Sequence, residues 1–146
     1  MRMIQQINCA NPTKKNNKAV YFGAKFEYSS SVFKQLEEAK DAIDKFSGKT
    51  DATFDVEKYL LKLKEDFEQA TQDIIGTVSI YKDELMEGIN VSYRDLNGKG
   101  IFASIPALKF FKKDPPAHET IIQTLKGNYN KLFESTNLPE SNPFKN

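Results

Sequence analysis

Histidine and cysteine each occur once in this chain, tryptophan not at all, and glycine only seven times in 146 residues. A single thiol, Cys9, excludes an internal disulfide and a multi-thiolate metal site. A single imidazole, His118, excludes a metal site built on two histidines. No run approaches the roughly 18 apolar residues of a transmembrane helix. Met1 to Pro12 carries Arg2 but no apolar stretch before Cys9, so a soluble cytoplasmic protein is expected, and the lone thiol agrees with a reducing compartment. An excess of one charge is missing too. The 21 Lys plus Arg against 20 Asp plus Glu leave +1, so no global field draws the chain to nucleic acid or to a membrane.

What is present is apolar and aromatic. Hydrophobic residues make up 39%, with 11 Phe and 6 Tyr, enough for one domain to bury about two-thirds of its unfolded surface. Residues 1–18, rich in Asn and Lys, read as a flexible polar and basic arm; residues 135–146, with Pro139, Pro143 and three Asn, read as a flexible C-terminal tail. Residues 19–134 remain as the domain. Charge is segregated within the chain: residues 1–28 hold five cations and one acid, net +4, whereas 29–75 hold seven cations and eleven acids, net −4.

Periodicity supplies the elements. Phe33, Leu36, Ala39, Ile43 and Phe46 recur at helical steps, with Ser29 to Ser31 as N-cap candidates and Gly48 as the stop. Val56, Leu60, Leu63, Phe67, Ala70 and Ile74 mark a second helix, with Thr53 as its cap and Gly76 as its end. Leu63 falls on this seam and Lys64 just off it, so a charge at Lys64 is expected to matter little. The two helices are expected to form an antiparallel hairpin. The period then changes to two. Val78 and Ile80, then Ile89, Val91 and Tyr93, then Ile101, Ala103 and Ile105 predict a three-stranded antiparallel meander, turned at Asn97-Gly98-Lys99-Gly100 and ended by Pro106. Ala19 to Tyr28 predicts an N-terminal strand. Asp114-Pro115-Pro116 predicts a helix start, an acidic cap followed by proline, with Ile121, Ile122, Leu125, Tyr129, Leu132 and Phe133 as the buried face and Gly127 as a weak point. The order β, α, α, β, β, β, α indicates the α+β class.

Several motifs have plainer explanations. Ser47-Gly48-Lys49-Thr50 resembles the end of a phosphate loop, but Ile43 stands where its first glycine belongs, and a helix rather than a strand precedes it. Asp95 to Gly100 starts like a calcium loop, but Lys99 occupies a ligand position and Pro106 the place of the closing glutamate, so a hairpin turn explains it better. His118, in a first helical turn, has no partner set for nucleophilic catalysis. No cofactor is expected, and no carboxylate pair stands out by spacing for acid/base work.

Two surfaces remain. Glu37, Asp41 and Asp44 share a stripe of the first helix, a solvated face or an acidic docking surface, with Lys40 and Lys45 able to offset the two aspartates. Lys109, Lys112 and Lys113 surround Phe110 and Phe111, an interleaving that suits single-stranded nucleic acid or two aromatics anchoring a loop in the core. The expectation is a non-enzymatic protein-interaction or regulatory domain whose partner is another protein, using Glu37, Asp41 and Asp44. The alternatives are a nucleic-acid-binding module using Lys109 to Lys113 and a small carboxylate-dependent hydrolase.

Overall fold

The computed structural model describes residues 23–49, 53–136 and 142–144. In chain order the elements are β1 (Lys25–Tyr28), a 3-10 turn (Ser30–Val32), α1 (Phe33–Ser47), α2 (Val56–Ala70), β2 (Thr77–Tyr81), β3 (Ile89–Arg94), β4 (Gly100–Ile105), a 3-10 segment (Ala107–Phe111) and α3 (Ala117–Thr136). The class is α+β. The part of the expected N-terminal strand before residue 23, and the whole of the 1–18 arm with Cys9, lie outside the described residues.

The sheet has the order β1-β2-β3-β4. The meander β2-β3-β4 is antiparallel as its alternation implied, with Ile80 opposite Val91 and Val91 opposite Ala103. β1 joins β2 in parallel, Phe26 beside Val78, so the sheet is mixed. Parallel neighbours need a crossover connection, and α1 with α2 provide it. Phe26, Val78, Ile80, Val91, Tyr93 and Ile105 point to one face and are buried under Leu36, Leu60, Leu63, Phe67, Ile121 and Leu125. The opposite face carries Lys25, Glu27, Arg94, Phe102 and Ser104, all exposed.

Local chemistry sets the helix ends, not always where spacing put them. Ser29 Oγ accepts from Ser31 N at the turn that opens α1, and Gly48, at φ 74°, closes that helix in the left-handed region. For α2 the cap is Asp55, not Thr53: its carboxylate accepts from Glu57 N at 3.0 Å and Lys58 N at 3.3 Å. α2 ends at Ala70, before Ile74 and Gly76. Thr71 is buried there, and its carbonyl accepts from Ala24 N and Ile74 N, turning the chain toward the sheet. Gly76, at φ 141°, opens β2, where a Cβ would lie 2.6 Å from the Arg94 carbonyl oxygen. α3 starts at Ala117, later than Asp114-Pro115 suggested; the Asp114–Pro115 peptide is cis, and the Pro116 carbonyl accepts from Thr120 N at 3.0 Å.

The helical hairpin is looser than expected. α1 and α2 touch sparsely; α1 lies chiefly against the 3-10 segment, while α2 packs on β1 and α3. Phe46, at the end of the α1 seam, is 96% exposed. Of residues 135–146, read as a C-terminal tail, the structure describes 135, 136 and 142–144. α3 runs to Thr136, and Asn142 and Phe144 are buried: Asn142 Nδ2 donates to the Lys126 carbonyl at 2.8 Å, and the Phe144 ring lies 5.0 Å from that of Tyr93. Proline and asparagine argue against helix and strand, but not against docking of one aromatic side chain in the core.

Candidate functional site

The segment Ala107–Phe111 decides how the lysines and phenylalanines of 109–113 are used. Pro106 ends β4, and a 3-10 turn brings every third residue to the same side, so Phe110 faces inward with Ala107 while Lys109 faces out. Phe110 is 3% exposed. Phe111 is stacked on Tyr59 of α2 at 5.1 Å and 24°, and Phe54 meets it edge-on at 5.6 Å. The Tyr59 hydroxyl donates to the Phe110 carbonyl oxygen, tying the segment to α2, and burial pushes the phenol pKa up. Of the two readings of this interleaving, anchoring aromatics is the one these contacts match.

The anchored rings form the floor of a groove of about 360 Å³ between α2, the 3-10 segment and α3. Leu63, Phe110, Phe111 and Ala117 give it an apolar base, with Tyr59 and Pro116 beside them. Its rim holds Lys62, Asp66, Lys112, Lys113 and His118. Lys62 and Asp66 are paired at 2.8 Å, and that hydrogen bond raises the Lys62 pKa. A second depression of about 320 Å³ adjoins it, lined by Lys109, Lys112, Pro115, Thr120, Gln123 and Thr124, so Lys112 borders both. Among the described residues, Lys109, Lys112 and Lys113 are exposed and none lies in an ion pair.

The acidic stripe of α1 does not stay together. Glu37 and Asp41 are exposed, whereas the Asp44 side chain is 12% exposed and bound to Lys40 at 2.8 Å. The Lys40 ammonium in turn lies 6.0 Å above the Phe54 ring. Asp44 thus belongs to the packing around Phe54. Two other part-buried carboxylates are held the same way, Asp66 by Lys62 and Glu68 by Lys64, each by a lysine four residues earlier. Asp95 accepts from Asn97 N and Lys99 N, so its carboxylate organises its own hairpin turn. Ser47 Oγ accepts from Lys49 N and donates to the Asp44 carbonyl, as a helix end does; Thr50 lies outside the described residues.

Sequence spacing missed one surface. The open sheet face has a shallow concavity of about 560 Å³ in which Ser79 and Ser92 lie among Tyr81, Arg94 and Phe102. Phe102 is 56% exposed. Its position was implicit in the alternation, since Ile101 and Ala103 on either side point inward. The groove lining had no such signal, because Tyr59, Phe111 and His118 meet only through tertiary packing. Among the described residues, no group of three or more His, Cys, Asp or Glu is placed to hold a metal, and no helix is long and apolar enough to cross a membrane. No protein-family model, curated protein or solved structure matches this chain.

Proposed function

We propose that the chain is a small protein-interaction or regulatory domain that binds its partner without performing chemistry on it. The observation that carries this reading is the groove between α2, the 3-10 segment and α3, where an apolar floor adjoins lysines that no carboxylate of the described residues neutralises. An apolar floor supplies affinity, and charges at the rim select the partner and speed its approach. The functional surface moves accordingly: the α1 stripe of Glu37, Asp41 and Asp44 is broken by Asp44, whereas the groove is continuous. A carboxylate hydrolase is a weaker reading, because Asp44, Asp66 and Glu68 are each committed to a lysine. Nucleic-acid binding keeps its lysines but has its aromatic half turned into the core. The single cysteine suits a reducing compartment such as the cytoplasm.

The test is affinity capture from native cell lysate at two salt concentrations, using the wild-type chain and a Lys109→Glu, Lys112→Glu, Lys113→Glu variant. A protein retained by the wild type and lost by the variant is the expected result. Retention of nucleic acid alone, falling steeply with salt through counterion release, would replace this reading with the nucleic-acid one.

A further inference from the structure

We infer that the groove takes an extended acidic peptide carrying one bulky apolar side chain, a partner chemistry that rests on the interaction-domain reading above. The floor supplies the first half of the argument. Its one hydroxyl, on Tyr59, is committed to the Phe110 carbonyl, so what Leu63, Phe110, Phe111 and Ala117 present to an occupant is apolar contact. A volume of about 360 Å³ accommodates one large side chain together with its flanking backbone.

Charge supplies the second half. Lys112 and Lys113 border the groove, Lys109 and Lys112 border the adjoining depression, and none of the three is in an ion pair among the described residues. Across the groove, Lys62 already has Asp66. The uncompensated charge is therefore positive and lies on the 109–113 side, where carboxylates flanking an apolar anchor would meet it. The second depression continues toward Thr120, Gln123 and Thr124, polar side chains suited to an extended backbone.

The same residues argue against a nucleic-acid strand. Phe110 is enclosed, and Phe111 is engaged by both Tyr59 and Phe54, so neither ring projects outward as a platform on which successive bases stack.

The experiment uses the full chain and a fluorescein-labelled synthetic peptide of about eight residues, all aspartate and glutamate except for one central phenylalanine. Three controls accompany it: the peptide with serine at the centre, the peptide with glutamine for every acid, and a single-stranded oligothymidine of equal charge. Anisotropy gives affinity, and the ring-proton NMR lines of His118, the only histidine, report occupation of the groove. The phenylalanine peptide is expected to bind at least about tenfold tighter than either control peptide. It should shift the His118 lines and weaken at least about fivefold in a Lys112→Glu, Lys113→Glu variant with an unchanged melt. A Lys112→Gln, Lys113→Gln variant repeats the comparison if charge reversal disturbs the fold.

Equal binding of the serine peptide overturns the apolar anchor, and an unmoved His118 at about 1 mM peptide overturns the site. If lysate capture still yields a protein that depends on Lys109, Lys112 and Lys113, the interaction-domain reading survives that loss. If the oligothymidine binds tightest and no protein is captured, both readings fall together.

Discussion

Asp41 and Asp44 stand three residues apart on one helix and meet different surroundings. Asp41 is exposed, while Asp44 is drawn against Lys40 beside the Phe54 ring. Glu37→Lys and Asp41→Lys should therefore each change stability by about 0.5 kcal/mol or less. Asp44→Lys places a second cation against Lys40 in a part-buried position and should cost clearly more, which urea melts of the three single variants will show. Tyr59 supplies a prediction in pH. Its phenol ionises near the usual 10.0 when unfolded but at higher pH when buried. Between those values the folded state holds more protons, so Tyr59 contributes fully below pH 10 and its contribution is lost as pH rises above it, by up to about 1.4 kcal/mol per pH unit. Thermal melts from pH 9 upward should fall less steeply for Tyr59→Phe than for the wild type. Equal slopes would show that the hydroxyl is not shielded.

At the scale of elements, the edge of β1 shows how a residue off the apolar seam can still matter. The Phe26 N–H donates to Glu68 Oε2 at 2.9 Å, and its carbonyl accepts from Lys64 Nζ at 2.8 Å, so an ion pair on α2 completes the hydrogen bonding of an edge strand. The expectation that Lys64 tolerates charge changes is thereby corrected: helix phase reports which residues leave the seam, not what their long side chains reach. Glu68→Ala should cost about 1–3 kcal/mol, by orphaning a buried N–H. Asp66→Ala, which breaks the more exposed pair with Lys62, should cost clearly less. Similar losses for the two would mean that the β1 edge finds another partner. In α3, Gly127 has open space around a would-be Cβ and no left-handed φ. Gly127→Ala should accordingly raise stability by about 0.5–1 kcal/mol, a gain that a denaturation midpoint resolves.

Across the whole molecule, the return of residues 142–144 to the core joins α3 to the sheet from a second direction. Phe144 meets Tyr93 at 5.0 Å and Tyr129 at 6.3 Å, and Asn142 bonds to Asn130 and the Lys126 carbonyl. Phe144→Ala should lower stability by about 3 kcal/mol, as loss of a buried ring does; a change within error would place Phe144 outside the folding unit. The order of residues along the chain specifies the class, the strands and their inward faces, and the stop of α1 at Gly48. Each of those follows from neighbours a few residues away, through the periods of 3.6 and 2 and the chemistry of caps and turns. It could not determine that β1 runs parallel to β2, that Phe46 ends in solvent, that Asp44 leaves the acidic stripe, or that Phe110 and Phe111 turn inward while their lysines rim a groove. Those outcomes depend on which distant surface each face meets, and burial of an apolar side chain has no direction of its own until that surface is present.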